Sequence, residues 1–375
     1  MNTETVKGFK DYTGEESEKR AEIKKLLVGT FEKYGFEPAE TPVIEYEEFV
    51  KGENEKDEAV SDIFKLQDKG KRKLALRYEF TFQLKRIMKN KKLPFKRYEI
   101  GEVFRDEPTS SNRFRQFVQC DADIVGSGIK EEAEILSLAK EVLDKLGINF
   151  KIYMNNRKLL NEILEKENVK DKEKFIREID KIDKLSEKEI KGNLKKMKAE
   201  KIFEIFQKPK EFFKKYEFYK EIEELGKYLK FYNVDLEFSP SLARGLSYYN
   251  GTVFEIKTSE MKETITSGGS YFFNGVQCTG ISFGLDRISS LAKIDLNRDK
   301  YLVVSLDKDK EAINLANKLR RKEIVSICYG KPSKALDFAN SYNYNKVIFV
   351  GEKEIKEKKF KIKDMVSGKE SLLKI

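Results

Sequence analysis

The sequence predicts an α+β organisation: a strand-rich region with flanking helices, a charged helical insertion within it, and a small α/β domain at the C-terminal end. Three observations lead there. Apolar and polar residues alternate through FKRYEIGEVFRDE and RFRQFVQCDADIVG, as half-buried strands require. From about Asn156 to Lys230 the apolar residues recur instead at helical intervals, and more than half the positions between Arg157 and Glu200 are charged. The tail alternates YLVVSL, EAINLANKLRRK, VSICYG, KALDFANSYN and KVIFVG, the rhythm of an α/β unit with a mixed or parallel sheet. These shifts place boundaries at 1–155, 156–230, 231–298 and 299–375.

Taken in order, SEKRAEIKKLLVGTFEKYG (17–35) has helical spacing and closes on Gly35, a suitable C-cap. FEPAETPVIEYEEF follows, where Pro38 and Pro42 favour an extended or edge strand. IFKLQDKGKRKLALR (63–77) reads as two strands joined by a turn at Asp68-Lys69-Gly70. A helix is expected from about Thr81 to Asn90, then the two alternating strands around the polar loop EPTSSN, then a helix from about Glu131 to Leu146. The insertion fits a Lys/Glu arm held by i,i+4 pairs more closely than an RNA-contacting surface. Glycines at 245, 251, 268, 269, 275, 280 and 284 mark the return of strands and turns.

Composition narrows the chemistry. The 375 residues include 39% hydrophobic and 37% charged positions, enough for a sizeable core, and no apolar run approaches the roughly 18 residues a membrane span needs. There is no histidine, which removes Ser-His-Asp and Cys-His triads, HExxH zinc sites and histidine general bases. Three scattered cysteines, Cys120, Cys278 and Cys328, give neither a disulfide framework nor metal-ligand spacing, so a reducing cytoplasm is expected. Lys and Arg total 75 against 65 Asp and Glu, a net charge of +10 that suits a polyanionic partner and equally a solvated basic surface.

Three segments carry the chemistry. In GEVFRDEPTSSNRFRQFVQCDAD, alternate positions share one face, so Arg113, Phe117, Gln119 and Asp123 can line a common surface with Arg105 and Glu107 nearby. Arginine forks match phosphate oxygens and an aromatic ring is a platform for a nucleobase, the two things a nucleotide site needs. LARGLSYYNGTVFEI sets Arg244 beside Gly245, which permits close ligand approach, and carries two tyrosines that point to opposite faces if extended. SGGSYFFNGVQCTGISFGLDRI brings Gly268-Gly269 into a strand and Arg287 into a helix.

Together these segments resemble histidyl-tRNA synthetase, a class II aminoacyl-tRNA synthetase, over essentially the whole chain. FEPAETPVIE is similar to motif 1, FRDE…RFRQFVQ to motif 2 and GISFGLDRI to motif 3. RGLSYYNGTVFE resembles the histidine signature RGLDYYxGTVFE, SGGSY resembles GGRYD, and LRYEFT resembles LRPExT. The resemblance implies an antiparallel catalytic sheet flanked by helices, a helical insertion and a C-terminal α/β anticodon-binding domain. It further implies a homodimer in the cytoplasm, with no membrane association, that charges the histidine tRNA using L-histidine, ATP and Mg2+, the ion arriving with the nucleotide.

Carried over by motif position, Arg105 and Arg244 hold the α-phosphate. Arg113 and Arg287 reach the β- and γ-phosphates, with Arg287 and Phe117 around adenine. Glu107 meets the adenine amino group or a magnesium-linked water. Glu79, Thr81 and Gln119 take the amino and carboxylate groups of histidine, and Asp123, Tyr248, Tyr249 and Tyr271 read its imidazole. Arg244, special to this family, serves histidine as well. The chain departs from the family pattern at Ser247, Ser270, Phe272, Tyr78 and Phe80. The alternative is an inactive, synthetase-like sensor that binds histidine or tRNA; the intact arginine set and the tail after Asp299 argue against it.

Overall fold

The computed structural model of the chain describes residues 2–52, 58–110, 112–180, 189, 192, 194, 200–244, 248–296 and 298–373. It divides into two compact units, Met1–Ile294 and Asp295–Ile375.

The first unit is built on an eight-stranded sheet. Its strands are β1 (Glu37–Pro38), β5 (Phe95–Phe104), β6 (Gln116–Val125), β7 (Lys151–Asn156), β8 (Glu237–Phe238), β9 (Tyr249–Thr258), β10 (Met261–Phe273) and β11 (Val276–Gly284), in the order β1-β5-β6-β11-β10-β9-β7-β8. The six inner strands pair antiparallel, while the two-residue edge strands β1 and β8 add parallel to β5 and β7. A separate small antiparallel sheet, β2 (Ile44–Tyr46), β4 (Lys73–Leu76) and β3 (Lys65–Gln67), covers the segment read as a hairpin.

The two-residue period of β6 decides which side is core. Cys120, Ala122 and Ile124 are fully buried among apolar side chains of helices Gly14–Lys33 and Ile129–Lys145. The first helix begins three residues before the expected Ser17, since Glu15 and Glu16 suit the positive end of its dipole, and Gly35 follows it in the left-handed region at φ 78°. The charged segment contributes helices Arg157–Lys166, Lys172–Ile179, Glu200–Phe206 and Tyr219–Phe231. Their apolar stripes, including Leu159, Ile163, Phe175, Ile202 and Leu225, join the same core.

In the second unit β12 (Lys300–Ser305) pairs parallel with β13 (Ile324–Tyr329) and β14 (Lys346–Val350). Antiparallel β15 (Lys361–Asp364) and β16 (Glu370–Leu372) complete a mixed sheet. Val303 packs under helix Asp309–Leu319 with Leu315, and Leu302 and Val304 pack under helix Pro332–Ser341 with Ala335 and Ala339, so both faces are covered.

Candidate active site

The face of the sheet opposite the helices opens into a cavity of about 880 Å³. Its existence follows from side-chain size across β6 and β11. Gln119, Asp121 and Asp123 project from β6, and directly opposite them on β11 stand Gly284, Ser282 and Gly280. Small residues facing three polar ones leave the space a ligand needs. On β5 the same rows continue as Gly101, Glu99 and Arg97.

The structure brings all thirteen sequence-nominated residues to this one cavity. Four of them are arginines. Arg105 donates from Nε to the Tyr78 carbonyl at 3.2 Å, lies over the Phe117 ring at 5.1 Å and has Gln119 Oε1 3.5 Å from Nη2. Arg113, on the loop between β5 and β6, pairs with the buried Glu107, which also stands 3.9 Å from Arg105. Arg287, just inside helix Leu285–Leu291, donates to the Thr264 carbonyl at 2.6 Å. Arg244 donates to Glu255 Oε1 at 2.9 Å, and its Nε is buried without a hydrogen bond. Burial opposes the charge on Arg244, yet Tyr249 and Glu255 hold it protonated more firmly than usual.

Carboxylates and phenols line the same cavity beside them. Glu79 accepts from the Tyr248 hydroxyl at 3.2 Å; burial pushes its carboxyl up to about 7 although the nearby Arg105 opposes this. Thr81 begins helix Thr81–Ile87 beside it. Tyr271 donates to Asp123 Oδ1 at 2.5 Å, and Arg97 lies 3.0 Å from Asp123 Oδ2. Burial raises Asp123, with Arg97 and Tyr271 pulling the other way. Tyr248 and Tyr249 would point to opposite faces if both were extended; Tyr248 instead sits in the turn before β9, and both line the cavity with ring centroids 4.8 Å apart.

The family departures have local explanations. β10 keeps unbroken register with β11, so plain alternation sets Tyr271 on the cavity face with Gly269 and turns Ser270 to the helix side, where it donates to buried Glu132; the extra residues of the bulge opposite lie on β9. Phe272 is solvent-exposed. Tyr78 stacks on Phe82 at 5.8 Å and Phe80 lies under Arg77 at 4.6 Å, so both are core. Ser247 lies outside the described residues.

Several residues of the site went unnominated. Asp121 shares the parity of Gln119 and Asp123, and the alternation itself carries that signal. Arg97 and Glu99 depend on cross-strand register, and Glu255 on the fold of β9 toward Arg244; local sequence contains neither.

An antiparallel sheet with helices on one face, and on the other a cavity lined by an arginine cluster and buried carboxylates, is the catalytic architecture of a class II aminoacyl-tRNA synthetase. Comparison with known proteins is more specific. The sequence pattern of the family described as histidyl-tRNA synthetase matches residues 8–288. The chain is 35% identical to histidine–tRNA ligase 2 of Shouchella clausii, over 98% of this chain and 97% of that ligase. Its fold is similar to the crystal structure of histidyl-tRNA synthetase from Nostoc sp. PCC 7120, with a TM-score of 0.86, 24% identity, and coverage of 100% and 97%. It is also similar to a Bacillus halodurans structure described as an ATP phosphoribosyltransferase regulatory subunit/histidyl-tRNA synthetase, with a TM-score of 0.79, 22% identity, and coverage of 92% and 98%. This chain belongs to the histidyl-tRNA synthetase family.

Proposed function

We propose that this chain is a histidine–tRNA ligase, activating histidine with ATP to histidyl-adenylate and transferring it to the 3′ end of the histidine tRNA. The observation that carries the reading is the lining of one cavity, in which Arg105, Arg113, Arg244 and Arg287 meet Glu79, Asp123 and Tyr271. Such a site can hold a polyphosphate against a small zwitterion with an N–H-bearing ring.

The substrate carboxylate attacks the α-phosphorus, so no protein nucleophile is required. Arg105 and Arg244 hold the α-phosphate and stabilise its growing charge; Arg113 and Arg287 bind the β- and γ-phosphates that leave as pyrophosphate. Phe117 and Arg287 flank adenine, and Glu107 is the acidic group at that end. Mg2+ belongs to the substrate, arriving on the ATP phosphates. Glu79, Thr81 and Gln119 hold the amino and carboxylate groups, while Asp123, Tyr248, Tyr249 and Tyr271 match the imidazole. In the second step a terminal ribose hydroxyl attacks the adenylate carbonyl, and a phosphate oxygen of the adenylate takes its proton. A ring lacking the N–H groups leaves buried acceptors unpaired and is rejected by about 10⁴-fold or more.

The second unit is read as the anticodon-binding domain, and the working form as a cytoplasmic homodimer. Val43 and Ile44, in the motif 1 segment, and Tyr46, which follows it, expose 38%, 50% and 52% of their surface, which suits an interface. No helix among the described residues is long and apolar enough to cross a membrane. ATP–pyrophosphate exchange, run with each standard amino acid separately, tests the reading. Histidine alone should support exchange; a folded chain that binds histidine or tRNA without exchange would instead be a sensor.

A further inference from the structure

Between Gln119 and Asp123, on the same face of β6, stands a carboxylate to which the family signature assigns nothing. Asp121 is 4% exposed, lines the cavity, and makes no ion pair among the described residues. Its neighbours explain why. On β5, Arg97 lies directly across from Asp123: it is 3.0 Å from Asp123, 3.7 Å from Glu99 and donates to the Phe80 carbonyl at 2.9 Å, its Nε and Nη1 are buried without a hydrogen bond, and it acts on Asp121 through space without pairing with it. Glu99, opposite Asp121, lies 3.1 Å from Arg77. What Asp121 receives directly is neutral: Gln119 Nε2 at 3.3 Å and, from β11, the Ser282 hydroxyl. Glu79 adds negative charge from the segment preceding helix Thr81–Ile87, and Tyr271 on β10 is occupied with Asp123.

A buried acid facing a ligand cavity with no cation of its own requires either a proton or a cationic ligand group. We propose that Asp121 is a second carboxylate of histidine recognition, taking one ring N–H while Asp123 takes the other, so that the imidazole is held with both nitrogens protonated. The spacing suits this. Side chains two apart on a strand stand about 7 Å from each other, and two ~2.8 Å hydrogen bonds leaving opposite sides of a five-membered ring need acceptors about that far apart. Burial and Asp123 push the Asp121 carboxyl up to about 8 although Arg97 and the Ser282 hydroxyl oppose this, so the empty site carries the needed proton at neutral pH. On binding, the Asp121 O–H bond breaks and an N–H bond forms at the unprotonated ring nitrogen, leaving a carboxylate–imidazolium pair with no net change in protons. The inference rests on reading the cavity as a histidine site.

The test uses full-length protein and ring-¹⁵N-labelled histidine at pH 7.5, where free imidazole, with pKa about 6.5, is mostly neutral. Both ring nitrogens should appear protonated in the wild-type complex. In Asp121→Asn the ring should bind as a neutral tautomer, the KM for histidine should rise ten- to a hundredfold, and the KM for ATP should stay within about twofold. The wild-type kcat/KM for histidine should also fall above about pH 8, as free Asp121 loses its proton, and this limb should vanish in Asp121→Asn. A neutral ring in a wild-type complex of normal affinity overturns the Asp121 assignment alone. Absence of histidine binding by the wild type overturns the histidine-site reading and this inference with it.

Discussion

Arg20 Nη1 lies 2.7 Å from Asp286 Oδ1, joining the first helix of the chain to the residue immediately before Arg287. The Tyr12 hydroxyl donates to the same oxygen at 2.6 Å, and the Arg20 guanidinium sits 3.8 Å from the centre of the Tyr12 ring. The backbone N–H of Val118, next to Phe117, donates to Asp286 Oδ2 at 3.3 Å. One largely buried carboxylate therefore fixes both residues proposed to flank adenine.

Removing Arg20 should therefore be felt in nucleotide binding. Arg20→Met leaves Asp286 without its cation and is expected to cost about 3 kcal/mol of stability, as breaking a mostly buried pair does. The KM for ATP should rise about tenfold, while the KM for histidine changes little. Thermal unfolding and exchange kinetics on the same preparation check both.

The reach of the sequence can be judged from such particulars. The alternation in QFVQCDADIV located β6 and the face carrying Gln119 and Asp123, because a two-residue period is a local property. Arg287 was legible as a residue of the cavity, since its motif is local too. The Arg20–Asp286 contact spans 266 positions, and nothing near either residue encodes it. Alternation along β10 also separates Tyr271, on the cavity face with Gly269, from Ser270 on the helix side, whereas the bulge that β9 makes opposite them belongs to strand pairing and has no local signal. For Tyr248 and Tyr249 the sequence leaves the answer to whether both are extended, and β9 begins only at Tyr249.

Arg244 offers a direct test of the catalytic assignment. Glu255 keeps Lys257 at 3.3 Å and Thr264 at 3.0 Å when Arg244 is lost, so the fold should survive Arg244→Ala. Exchange should fall by 10³-fold or more, about 4 kcal/mol of transition-state stabilisation. Exchange within tenfold of wild type would remove Arg244 from the reaction.

Glu79 makes the acid side of the pH profile predictable. Its carboxyl is raised to about 7, so below that pH the free enzyme carries it protonated and unable to accept the substrate ammonium fully charged. The kcat/KM for histidine should decline as pH falls through about 7. Glu79→Gln should lower the plateau by about 100-fold and remove this limb. The linkage sign runs against stability: a carboxyl raised in the fold is destabilising once ionised, so ligand-free Glu79→Gln should melt higher than wild type at pH 8.

Gly280 separates pocket shape from fold. It faces Asp123 across β6 and β11, and a methyl group built there would overlap Asp123 Oδ1. Asp123 is held by Arg97 and Tyr271, so neither side can give without breaking one of those contacts. In Gly280→Ala the KM for histidine should rise by at least tenfold and the KM for ATP should hold within about threefold, since the arginines are untouched. Gly29, inside helix Gly14–Lys33, is the contrast: nothing lies within 4 Å of a methyl group added there, and Gly29→Ala should stabilise the chain. The gain expected from the helix preference of alanine is about 0.5–1 kcal/mol. Melting curves and histidine titrations of the two variants side by side decide the matter, and equal histidine affinity in both would mean that Asp123 does not read the ring.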